Sequence, residues 1–355
     1  TGGEDGFFHA VNDLLVSRAN GREHAAPFGA RGVGIARDEV VWADPHAPLH
    51  VHELLALEVE PLRLDQLRPG LARGTAYDIS RGGAALIGRK AFLFRTPGTP
   101  LYRNPAVFDA VLDGLRRFRE RQDRSGNFAC GDAWSGHLPH HSHAWRLEPM
   151  IWARLWLEPD LAPRDRAWID AMLRRGADRL LRMARQAPTD TLQYCNRGLV
   201  WSAVTTLCGL YFDDRRFLDA AATHAPRILA NTIRPDGQVL EHYLHYQGGG
   251  PDSGYSLTSW IYTILYRLLS GNRAFDDRLV RALQWQTDTL TRTGWPVATG
   301  ASVRHANLQV CAEDLLPGYE LLAEQEPFFD TLADRLLGRG KPHSQGHACH
   351  PCLWA

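Results

Sequence analysis

The chain has 355 residues, 44% of them apolar, with 40 basic residues balanced by 40 acidic ones. That is enough for one large domain or two ordinary ones with a substantial core, and the zero net charge removes the broad basic field of nucleic-acid and membrane-surface binders. No nucleic-acid partner is expected, and any anionic ligand has to be met by local charge.

No apolar run reaches the ~18 residues of a membrane span. The opening TGGEDGFFHAVNDLL lacks the basic start and apolar stretch of a signal peptide, which leaves the compartment open. Six cysteines, at 130, 195, 208, 311, 349 and 352, are too sparse for a disulfide scaffold.

In chain order, residues 7–18 read as a helix. Residues 27–104 read differently: GVGIARDEVVWADP, LHVHELLALEVEPL and AALIGRKAFLFRT are short apolar stretches broken by Gly and Pro. Residues 1–104 are therefore expected to form a mixed N-terminal region containing some strand.

From residue 105 the period becomes helical. Helices are expected near 105–122, 144–157, 164–186, 195–212, 215–232, 255–270, 275–292, 311–324 and 327–337. Breakers such as DRSGN, RQAPTD, FDDRR, RPDG and GGGPDSG separate them. The fold class is mainly α, and helical hairpins stacked over 105–340 predict an α/α toroid, an incomplete barrel of hairpins. An open solenoid and an irregular bundle are the alternatives, and no sequence repeat is obvious.

Within 255–270, Leu257, Ile261, Ile264 and Leu268 fall on one stripe for packing. Tyr255, Ser259, Tyr262 and Tyr266 fall on another that packs or lines a cavity. Residues 341–355 form a tail, HACHPC, whose His347, Cys349, His350 and Cys352 are zinc ligands in type. Structural zinc sites usually draw on two separated arms, so no metal is assigned.

Three segments hold more polar groups than packing requires. In WSGHLPHHSHAW, residues 134–145, His137, His140, His141 and His143 lie between Trp134 and Trp145. No HExxH-like spacing is present, and the Pro argues against a regular helix. The expectation is an exposed loop at a cleft mouth, where flat apolar rings and imidazoles suit a sugar.

In YCNRGLVWSAV, residues 194–204, Asn196 and Arg197 open an apolar helix. Asn there reads as a cap, or, with the guanidinium beside it at a positive helix end, as a carboxylate binder. In RPDGQVLEHYLHYQGGGPDSGYSLTSW, residues 234–260, Asp236 and Gly237 form a turn. Glu241, His242, Tyr243, His245 and Tyr246 follow, and Gly248, Gly249 and Gly250 lead to Asp252 and Tyr255. Such glycines permit close backbone approach at an entropic cost, which suggests a loop shaped for a ligand.

Asn, Arg, His and Tyr together suit β-elimination on a uronic acid. Neutralising the carboxylate acidifies the C5 hydrogen, a base removes it, and an acid protonates the departing glycosidic oxygen. Tyr at its ordinary pKa of ~10 is about 0.1% ionised at pH 7, so Arg197 or a protonated histidine has to help it act as base.

The order N-R-G on a helix, then D-G-x-x-x-E-H, then a glycine-bearing loop ending G-Y-S resembles the α/α-toroid polysaccharide lyases that act on hyaluronate, chondroitin, alginate and heparin-type chains. The resemblance covers residues 105–310. It implies that Asn196 neutralises the uronate and that His242 and Tyr255 carry the protons, with no cofactor. Arg197, His245, Tyr246, Trp134, His143 and Arg304 fall to substrate binding, and His245 is the alternative catalytic histidine. The implied partner is an anionic polysaccharide or oligosaccharide.

Two rivals remain. A glycoside hydrolase on the same helices would use a carboxyl pair drawn from Asp132, Glu148, Asp236, Glu241 and Asp252. A non-catalytic carbohydrate-binding protein would use the aromatic rings alone.

Overall fold

The computed structural model describes residues 81–95, 101–128, 139–186, 195–240, 253–288 and 315–329. These are mainly helical, and no strand occurs among them. The first helix, α1 (Arg81–Arg95), corrects the reading of AALIGRKAFLFRT as a short broken stretch of a mixed region, since it keeps a helical period. Ala84, Ile87, Ala91 and Phe94 recur with helical spacing, and all four are buried. The other N-terminal stretches lie outside the described residues.

Helix α2 (Pro105–Arg121) starts at Asn104, whose side chain accepts from the Ala106 N–H at 3.0 Å. Pro105 at the first position already has the φ a helix needs. Helix α3 (Pro139–Leu157) begins five residues before the expected 144, so the second half of the anticipated loop is helical. Proline halts a helix from within but suits its first turn, and Pro139 occupies that place.

Then come α4 (Pro163–Gln186), α5 (Cys195–Phe212) and α6 (Arg215–Thr232), the last capped by Asp214, which accepts from the Arg216 N–H at 3.0 Å. Helices α7 (Ser253–Ser270), α8 (Asp276–Asp288) and α9 (Leu316–Leu322) complete the described set. No described helix is long and apolar enough to cross a membrane.

Helices α1, α3, α5 and α7 pack successively on one another, while α2 covers α1 and α4, α4 covers α3 and α5, and α6 covers α5 and α7. Side-chain pairs fix their directions. Phe92 meets Trp156 at 5.2 Å and Arg95 meets Asp160 at 3.1 Å, so α1 and α3 run together.

Against α4 the numbering reverses. His143 reaches Gly176 and Arg154 reaches Asp170, as Trp201 reaches Leu180 and Tyr211 reaches Asp170. Helices α1, α3 and α5 therefore begin at one end of the molecule, and α4 finishes there. Gly88 lets α1 and α3 approach closely, since a Cβ there would lie 2.9 Å from the Pro149 Cβ.

Although no sequence repeat is obvious, the structure contains the same turn twice. Residues Gln122 and Phe128 form an isolated antiparallel bridge after α2, and Ile233 and Val239 form another after α6. Asp123 N–H donates to Asn127 O at 2.8 Å and Gly126 N–H to Asp123 O at 3.0 Å. Arg234 and Gly237 repeat the pattern at 2.9 and 3.0 Å. Both glycines have positive φ, 85° and 90°. Each lies against a helix backbone, where a Cβ would overlap the Arg175 carbonyl of α4 or the Arg281 carbonyl of α8.

Candidate functional site

Asn196 and Arg197 lie in the first turn of α5, and Tyr255 lies in the first turn of α7. Helices α5 and α7 pack against each other, so two of the three expected catalytic residues belong to neighbouring helices and to the same part of each. Arg197 is half-buried. The free N–H groups of a first helical turn add partial positive charge to that guanidinium, which favours an anion.

His242, His245, Tyr246, Trp134 and Arg304 lie outside the described residues, as do His137, Asp132, Glu241 and Asp252.

His143 is placed differently from the exposed loop expected for it. It is fully buried on α3, its Nε2 donates to the Gly176 carbonyl at 2.8 Å, and its ring stacks on Phe128 at 5.2 Å. Donation from Nε2 fixes the neutral tautomer and leaves Nδ1 without a partner. Desolvation pulls its pKa down to about 4. His143 is thus a core histidine joining α3 to α4.

The polar stripe of α7 also lies inside. Tyr262, Tyr266 and Ser259 are buried, along with Ile261 and Ile264, whereas Leu268 is 45% exposed. A helix apolar on one side and aromatic on the other can be enclosed on both, provided that its hydroxyls find partners. The Tyr262 hydroxyl does, donating to Glu148 Oε2 of α3 at 2.9 Å. Glu148 is itself only 4% exposed, so this is a buried carboxylate held across the helical layer.

Sequence reasoning names Glu148 as a carboxyl candidate and puts Tyr262 on a stripe that packs or lines a cavity, without joining them. They are separated by 114 positions, and helical periodicity says nothing about which faces meet. Lys90 of α1 is a further buried group, with desolvation lowering its pKa to about 8. Its sequence signal is a pair of cations, Arg89 and Lys90, inside the otherwise apolar run LIGRKAFLF.

Asp236 is committed to local structure: its Oδ1 accepts from the Gln238 N–H at 3.1 Å, and Arg234 lies 3.7 Å away. Among the described residues no three His, Cys, Asp or Glu side chains gather as a metal site. No family model, curated protein or solved structure matches the chain.

Proposed function

We propose that the chain is a polysaccharide lyase that cleaves a uronic-acid glycan by β-elimination on a toroid of helical hairpins. The observation that carries this reading is the placement of Asn196–Arg197 and Tyr255 in the first turns of two helices packed together. The alternation of α1, α3, α5 and α7 with covering helices α2, α4 and α6 supports the toroid.

In this mechanism the Asn196 amide and Arg197 guanidinium bind the substrate carboxylate at the positive end of α5. That stabilises the negative charge that develops when the C5 proton leaves. Tyr255 and His242 divide the remaining work: one takes the C5 proton, and the other protonates the glycosidic oxygen as the C4–O bond breaks. His245 is the alternative histidine. The products are a new reducing end and a sugar with a C4–C5 double bond.

Incubation with hyaluronate, chondroitin, alginate and heparin-type chains should raise ultraviolet absorbance with at least one of them. Tyr255→Phe should slow that rise ~10²–10⁴-fold and Asn196→Ala ~10²–10³-fold. Full activity in both variants would overturn the assignment.

A hydrolase would need two carboxyl groups ~5–5.5 Å or ~6.5–9.5 Å apart across one bond. The two described candidates serve other partners, Glu148 with Tyr262 and Asp236 within its turn. New reducing ends without absorbance would nevertheless identify a hydrolase.

A further inference from the structure

The C-terminal half of α4 and the end of α2 bring together five arginines, and among the described residues Asp123 is the carboxylate that lies in their field. Arg175, Arg179 and Arg182 follow one face of α4 at helical spacing and converge on the 122–128 turn. Arg175 Nε donates to Gln122 Oε1 at 2.9 Å, Arg179 Nη1 to Ser125 Oγ at 2.7 Å, and Arg182 Nη2 to the Ser125 carbonyl at 2.6 Å. Arg121 and Arg124 stand beside the same turn, and all five except half-buried Arg179 are exposed.

None of these five forms an ion pair among the described residues. Several arginines elsewhere do find carboxylates: Arg174 and Arg216 share Asp214, Arg267 and Arg273 share Asp276, and Arg154 holds Asp170. Asp123 within the turn accepts from Ser125 N–H, Ser125 hydroxyl and Asn127 N–H at 2.8, 2.7 and 3.0 Å, and its negative charge offsets part of the positive charge at Arg179. In a chain with equal numbers of acids and bases, five guanidinium groups around the one carboxylate of Asp123 are a local positive field among the described residues.

We propose that Arg121, Arg124, Arg175, Arg179 and Arg182 form a docking surface for a linear acidic glycan, outside the helix ends assigned to chemistry. The inference rests on the reading of the ligand as a uronate polymer. From Arg175 to Arg182 the row climbs about 10 Å along α4, a distance over which a polyuronate presents successive carboxylates. The Trp201 N–H on the Leu180 carbonyl, 3.2 Å, fixes α4 beside α5, so the row rises toward the end where Asn196 and Arg197 begin α5. Charge complementarity selects a polyanion. The large apolar side chains exposed among the described residues, Tyr102, Leu155, Leu210 and Leu268, are not part of the row, so among the described residues it is charge rather than an exposed aromatic platform that marks this surface.

The test is equilibrium binding of the full chain to long-chain alginate and hyaluronate across a salt series, with neutral dextran as control. The triple variant R121Q/R124Q/R182Q should bind about tenfold more weakly at low salt, with the difference closing near 1 M. Because Arg182 also holds the turn, R121E/R124E, at two exposed side chains that make no hydrogen bond among the described residues, should show the same loss with an unchanged thermal midpoint. Cleavage of short oligosaccharides should be unaffected in both variants. Wild-type affinity in both, equal binding to dextran, or tighter binding to RNA or anionic vesicles would overturn the docking surface. Salt-sensitive alginate binding that both variants lose, without any ultraviolet product, would sink the lyase reading and leave this one standing.

Discussion

The turns at 122–128 and 233–239 share a backbone and differ in what surrounds it. Both place a positive-φ glycine against a helix carbonyl and close with the same pair of hydrogen bonds. Around the first, three arginines of α4 converge and Phe128 stacks on a buried histidine. Around the second, Arg278 of α8 binds the Ala230 and Ile233 carbonyls, and the chain continues into the histidine- and tyrosine-rich segment. Backbone geometry is thus the common structural device, while the side chains make one turn a charged surface and the other the approach to the proposed chemistry.

The strongest way to break this comparison is to alter the shared element. Gly126→Ala and Gly237→Ala should each cost about 3 kcal/mol or more, because the new Cβ meets both an unfavourable φ and a backbone carbonyl. Denaturant midpoints would measure this, and tolerance at one site alone would show that the turns are not equivalent.

A second experiment addresses what only the first turn has. His143 is neutral in the fold, with its pKa lowered from 6.5 to about 4, so the unfolded chain binds the extra proton between those values. Its contribution to stability is therefore complete above about pH 6.5 and declines as pH falls toward 4, by up to about 3 kcal/mol. His143→Gln should flatten that part of the stability profile, whatever its effect at neutral pH. An unchanged slope would contradict the buried neutral ring.

The smallest expected effect concerns the aspartates. Asp123 accepts three hydrogen bonds and Asp236 one, so Asp123→Ala should cost about 1–2 kcal/mol and Asp236→Ala about 0.5–1 kcal/mol. Thermal unfolding under matched conditions would check the order, and equal losses would remove the proposed asymmetry.

Much of the helical order was legible because burial leaves a period in the sequence. Helices α5 and α6 have the bounds that periodicity predicted, and α2 and α4 differ by one residue at one end. Errors arose where a local rule had two readings. In sequence Pro139 reads as a breaker but is the first residue of a helix, and the glycines of RGGAALIGRKAFLFR read as interruptions where close packing on Pro149 uses one of them. The candidate site was legible as residue types at helix starts, Asn196, Arg197 and Tyr255. The surroundings of His143 were not, because a histidine between prolines and polar residues carries no mark of the Phe128 ring and Gly176 carbonyl that enclose it.

By itself the sequence determined that most of the described residues wind into helices, where these break, and that two breaks hold Asp and Gly, because these follow from local sterics and the spacing of apolar residues. Tertiary structure alone decided that Glu148 meets Tyr262, that His143 is enclosed, and that three arginines of α4 converge on the turn after α2. Such contacts join positions far apart in the chain, and their energies depend on which helix faces meet rather than on the residues within either helix.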